Sequence, residues 1–313
     1  MTSLLDRRLL FVTGKGGVGK STVASALALL GAQQGKKTLV CEVDAKGNLG
    51  DHFGVQGLRF APTEIQPALH AMAMDTEESL KEYLKLQLHL PLLARLGPLA
   101  RTFDFVATAA PGVKEILTVG KLAYEVRERN YDLVVVDASA TGHVVGQLAS
   151  PVAIADLVKV GVVRQQTQWM IELLQDPATT GVVVVSTPEE MPVTETIELL
   201  DNLHASTSID VAAVVANRVL PELYGRAEEE LFDRVDTPAG RKALQSAVGA
   251  KAGVLVDAAE LAMNLRRSRA AHLTRLREHL PEGLPLLIVP ELFARAQGMR
   301  TTRRVAELVG EEL

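Results

Sequence analysis

Cysteine is almost absent: 313 residues carry one, Cys41. A single thiol excludes an intrachain disulfide framework and any cysteine-built zinc finger. It fits a reducing compartment. Long apolar runs are missing too. No uncharged stretch reaches the ~18 residues of a membrane helix, so no transmembrane segment is expected. No secretory leader is expected, because "MTSLLDRRLLFVTG" places charges where its apolar centre would lie. Basic charge is not in excess either. A net charge of −5 argues against a nucleic-acid partner, whose phosphates call for a basic surface. The expected location is cytoplasmic.

The residues present suit a large core, since 47% are hydrophobic. The length admits two domains of roughly 150 residues or one large α/β domain. We read residues 1–313 as a single domain. Apolar strand-like runs lie at 9–14, 37–44, 68–75, 132–139, 181–187, 209–219 and 284–290. Helical stretches separate them. That alternation predicts an α/β fold with a mostly parallel, doubly wound sheet covered on both faces. Residues 76–130 and 151–176 exceed a minimal strand–helix alternation. They are expected to form an inserted helical subdomain on the strand-end side of the sheet. Residues 238–280 read as a surface helix or helix pair.

Gly14 to Ser21 match G-x-x-x-x-G-K-[ST] between a strand and a helix, the context this motif requires. The candidate phosphate cradle is Gly14, Gly16, Gly17, Val18 and Gly19. Its N–H groups can turn inward, and the following helix adds its positive dipole end. Lys20 supplies a charge for the β- and γ-phosphates. Ser21 is placed for Mg²⁺ and Thr22 for the α-phosphate. "VVVDASATGH" (134–143) ends a strand on Asp137, a candidate water-mediated Mg²⁺ ligand, and Gly142 permits close approach to the γ-phosphate. Asp44 ends the second strand, expected to lie beside the first. A carboxylate there can orient an attacking water, or simply end a strand before a helix capped by Asn48.

An additional lysine, Lys15, makes the loop K-G-G-V-G-K-S-T. This resembles the deviant phosphate loop of the MinD, ParA and nitrogenase-iron-protein superclass. Within it, "DASATGHVVGQLASP" (137–151) resembles the second switch of the arsenite-pump ATPase (ArsA) family, which includes the eukaryotic ATPase for tail-anchored membrane proteins. "APGVKEILTVGKL" (110–122), "TPEEMPVTETIELL" (187–200) and "VVANRVLPE" (214–222) are similar to further blocks of that family, in its order. The resemblance implies ATP and Mg²⁺ as cofactors and a nucleotide-sandwich dimer in which Lys15 reaches the partner's ATP. It implies Asp44 as the water-activating aspartate and Asp137 as the Mg²⁺-linked one. Thr141, Gly142 and His143 become switch II, and Asn217 the adenine contact.

Departures from the family pattern qualify this. Switch I reads "DAKGN" where the family has D-P-A-H/S-N: Ala45 replaces the proline, and Lys46 and Gly47 precede Asn48. Ala138, Ser139 and Ala140 stand where T-A-P is usual. The "VDAKG" variant resembles an actinobacterial branch that often has paralogous pairs, so a homodimer and a heterodimer both stay open. One cysteine cannot build the three-thiolate metalloid site of the arsenite pump. The C-x-x-C zinc clasp of the tail-anchor ATPase is also absent. The leucine-rich stretch 80–103 reads as subdomain core or as a groove for a hydrophobic client. The resulting expectation is a dimeric ATPase switch serving a protein client or membrane partner. The alternatives are a ParA- or MinD-like positioning ATPase and a nucleotide-binding scaffold subunit with weak activity.

Overall fold

The computed structural model describes residues 4–44, 48–88, 112–158, 160–222, 224–249, 251–293 and 298–313. A 3₁₀ turn, Leu4–Asp6, leads into β1 (Leu9–Gly14), α1 (Lys20–Gln33), β2 (Thr38–Glu42) and α2 (Asn48–Phe53). Next come β3 (Thr63–Gln66), β4 (Leu69–Ala73), α3 (Thr76–Leu88) and α4 (Val113–Arg127). The central portion runs β5 (Leu133–Asp137), α5 (Thr141–Leu157), α6 (Val162–Gln175), β6 (Thr180–Ser186) and α7 (Glu190–Ser206). The last portion is β7 (Val211–Val219), α8 (Arg226–Val235), α9 (Pro238–Val248), α10 (Ala252–His279), β8 (Leu286–Pro290) and α11 (Met299–Glu312).

Eight strands form one sheet in the order β3-β4-β2-β5-β1-β6-β7-β8. Every pairing is parallel except β3 with β4. The seven strands read from the sequence are present. The edge strand β3 was missed: Thr63 and Glu64 are exposed, so no apolar pattern marks it.

One expected neighbour relation is wrong. β2 does not lie beside β1, because β5 is inserted between them, with Val135 pairing both Leu10 and Val40. The strand "LVVVD" is fully buried and apolar toward both layers, which suits a central position.

Alternation along the strands divides the core into two halves. Leu10, Val12, Val40, Leu133 and Val135 face α1, α2 and α11. Leu9, Phe11, Leu39, Val134 and Val136 face α4, α5, α6 and α7. Each such fully buried side chain contributes about 1.5–3 kcal/mol. The helices at the C-terminal ends of both long blocks therefore cover a sheet face. Within the described part of the leucine-rich stretch, Leu80 and Leu84 are half-buried on α3. Residues 89–111, with Leu90, Leu92, Leu93, Leu96 and Leu99, lie outside the described residues.

α3 and α4 are joined by an ion cluster. Lys121 bonds Glu82 at 2.7 Å and Glu125 at 2.6 Å, and lies over the Phe60 ring. Burial disfavours the charge on Lys121, but the Glu125 and Glu82 carboxylates outweigh it and raise the pKa.

The expected helix pair at 238–280 is α9 and α10. Arg241 of α9 ties it to α10 through Asp257 and Glu260. The last helix went unread. Thr302, Val305, Ala306 and Val309 of α11 are buried at helical spacing against the layer containing α1. Its apolar side is used internally.

Candidate active site

The parallel strands end together at one edge of the sheet, and the sequence-predicted residues gather there. β1 runs into the loop Lys15–Gly19, and α1 begins at Lys20. Two glycines are demanded by geometry. Gly14 has φ +148, and a Cβ there would lie 2.1 Å from the Val185 carbonyl oxygen of β6. Gly19 has φ +95, and its Cβ would lie 2.3 Å from Asn217 Nδ2. Only glycine accepts such a left-handed backbone together with such close approach. Gly19→Ala is expected to displace Asn217 and weaken ATP binding at least ~10-fold, measurable with a fluorescent ATP analogue.

Asn217 was expected at the adenine. In the structure it is 5% exposed and holds the back of the loop. Its Nδ2 donates to the Val18 carbonyl at 2.8 Å, and its Oδ1 accepts from the Arg218 N–H at 3.0 Å. Arg218 has φ +57, rare for a side chain of its size. The β7–β8 register shifts between Ala216 and Val219. This irregularity accompanies the inward turn of the asparagine.

Asp137 ends β5 between the first and second strands, in register with Val12 and Glu42. It is 6% exposed. Burial raises its pKa from 3.8 to about 6; the Ser21 hydroxyl and the Lys20 charge pull it down, while Glu42 and Asp44 push it up. Its Oδ1 is buried without a hydrogen-bond partner. An orphaned carboxylate oxygen, on a side chain already bonded to Ser21, fits a hydrated divalent cation. These two residues are the predicted metal pair, and the fold brings them together.

Lys20 Nζ lies 3.3 Å from the Lys15 carbonyl, across the loop. Asp44, half-buried just after β2, is close enough to raise the Asp137 pKa. Thr22 lies on the first turn of α1, its Oγ1 3.8 Å from a Cβ built at Gly19. Thr141 opens α5, and Gly142 and His143 follow on its exposed first turn. Thr13 Oγ1 donates to the Ser139 carbonyl at 2.9 Å, tying the segment before α5 to β1. The altered switch residues Ala45, Lys46 and Gly47 lie outside the described residues.

Two acidic residues escaped the sequence reading. Glu42 is a 3% exposed carboxylate paired in register with Asp137. Its signal was an acid inside an otherwise apolar strand. Glu195 of α7 pairs with Lys15. It sits in "TPEEMPVTETIELL", noted only for its resemblance.

A parallel sheet with helices on both faces, and a glycine loop opening a helix at its strand ends, defines a phosphate-loop nucleotide-binding protein. The family model described as anion-transporting ATPase matches residues 7–171 and 156–235. The ATPase BagA of Mycobacterium tuberculosis is 34% identical over 304 residues, covering 91% of this chain and 86% of that protein. An ATPase ASNA1 homolog from Cryptosporidium parvum is 29% identical over 252 residues, covering 70% of this chain and 67% of its own. The chain belongs to the ArsA-type anion-transporting ATPase family, and it is an ATPase. No helix among the described residues is long and apolar enough to cross a membrane.

Proposed function

We propose that this ATPase is a Mg²⁺-dependent, dimeric nucleotide switch that works in the cytoplasm. The observation that carries the reading is the convergence of Lys20, Ser21 and Asp137 on one glycine cradle, with Asp44 beside them. The loop N–H groups and the N-terminus of α1 would hold the phosphates. Lys20 would leave the Lys15 carbonyl for the β- and γ-phosphates. Ser21 and Asp137 would hold Mg²⁺, Asp137 through water; the ion would supply charge to offset that developing on the phosphates. Asp44 would orient the attacking water and accept its proton. Asn217 would serve twice, keeping the loop in place and offering its remaining amide hydrogen and lone pair to adenine.

Lys15 stands too early in the loop to serve its own γ-phosphate as Lys20 does, so its charge is better used on a second subunit's nucleotide. There it would act as an arginine finger does. The second subunit is another copy or a paralogue. Lys15→Ala is expected to keep ATP affinity within about threefold and lower turnover ~100-fold or more. Titration with a fluorescent ATP analogue, beside steady-state phosphate release, checks this. Equal turnover by variant and wild type would remove the cross-subunit role.

We assign α3, α4, α5 and α6 to a helical subdomain that carries the switch motion to a protein client or membrane partner. Support comes from the α5–α6 junction, where Leu157 and Val160 are 79% and 81% exposed. Apolar side chains so exposed are available to a hydrophobic segment.

A further inference from the structure

Lys15 is not idle in the single subunit. Its ammonium is paired with the Glu195 carboxylate, 180 positions away on α7. The two side chains are 29% and 27% exposed, so the pair is only partly screened by water. The contact bridges the phosphate loop and the helix that follows β6. β6 itself packs on β1 along its whole length. The partner of Lys15 is therefore built into the rigid framework rather than offered by a passing surface chain.

We infer that Glu195 is a positioning residue that holds Lys15 in its own subunit until a nucleotide across the dimer interface displaces it. This rests on the reading of Lys15 as a cross-subunit lysine. The chemistry is an exchange of anions. In the free subunit the ammonium is neutralised by one carboxylate. In the closed dimer it faces a triphosphate with several negative charges. A triphosphate competes better for the ammonium than a diphosphate does, because it places more charge within reach. The Glu195 contact thus opposes closure and sets how much ATP closure requires. Breaking it lowers that requirement by the modest worth of a partly exposed pair, about threefold to fivefold.

The test is dimerisation of the full chain against concentration of a non-hydrolysable ATP analogue, followed by analytical ultracentrifugation. Wild type, Glu195→Gln, Glu195→Asp, Lys15→Ala and the double variant Lys15→Ala/Glu195→Gln are compared. Glu195→Gln is expected to dimerise at about threefold to fivefold less analogue, and Glu195→Asp, which keeps the charge, near wild type. Adding Glu195→Gln to Lys15→Ala should change nothing further, a null that a merely structural glutamate would not give. If Lys15→Ala impairs dimerisation while Glu195→Gln matches wild type, the hold is wrong and the cross-subunit lysine stands. If Glu195→Gln needs more analogue than wild type, Glu195 favours closure and the hold is again overturned. If neither single variant moves the curve, both readings fall.

Discussion

Asp44→Asn is expected to lower ATP turnover by ~100-fold or more while leaving ATP binding nearly unchanged, because in its proposed role the carboxylate serves the attacking water and not the phosphates. The carboxylate stands just beyond the buried end of β2, and its charge is felt by Asp137 at the end of the neighbouring strand β5. An asparagine there keeps the size and one acceptor but cannot take a proton. Steady-state phosphate release and equilibrium binding, measured on the same preparation, separate the two effects. Turnover equal to wild type would remove Asp44 from the chemistry. A nucleotide-bound, slowly hydrolysing variant is also the form in which a client would be retained, so it is the natural bait for copurification.

Asp137→Asn is expected to act with opposite signs on stability and on activity. In the nucleotide-free protein, burial is the main cause that raises the Asp137 pKa from 3.8 to about 6. Between those values the folded chain binds more protons than the unfolded chain. Stability therefore falls as pH rises through this window, and the ionised carboxylate costs up to about 3 kcal/mol above it. The amide removes that charge, but it still buries polar atoms. A net gain of roughly 1–2 kcal/mol at pH 7 is expected, fading toward pH 4. With Mg²⁺ and ATP the order reverses. Wild type gains stability from the bound nucleotide, whereas the variant lacks the cation's carboxylate and gains little. Its turnover is expected to drop ~100-fold or more. Thermal unfolding at pH 5 and pH 7.5, with and without Mg²⁺-ATP, reads both signs. A variant that is less stable than wild type at pH 7.5 without nucleotide would contradict the buried-charge account.

The same carboxylate predicts how wild type responds to acid. Asp137 must be ionised to serve a cation, so Mg²⁺-dependent nucleotide affinity should weaken as pH falls through about 6. Glu42 contributes to that position, since its charge is among those raising the Asp137 pKa. Glu42→Gln is expected to move the midpoint of this pH profile downward. A midpoint that does not move would show that Glu42 is without electrostatic influence on the site.

The phosphate loop was legible because its chemistry is contiguous. Residues 14–22 hold the glycines, the lysine and the hydroxyls within two turns of chain, and the strand before and helix after them are strongly apolar. The buried parallel strands were legible for a similar reason: runs such as "LVVVD" and "TGVVVVS" cannot be covered except on both faces. So the sequence by itself determined the fold class, the glycine loop between β1 and α1, and the family. Tertiary structure alone decided which strands are neighbours. β5 enters between β1 and β2, setting Asp137 beside Glu42 and beneath the loop. It also decided that α11 covers α1 and that Asn217 braces Val18 across 199 positions. The Lys15–Glu195 pair belongs to the same group. Side chains so distant in the chain leave no common period or spacing to read. They meet only because parallel strands must be linked by crossovers, which deliver residues from remote segments to the same edge of the sheet.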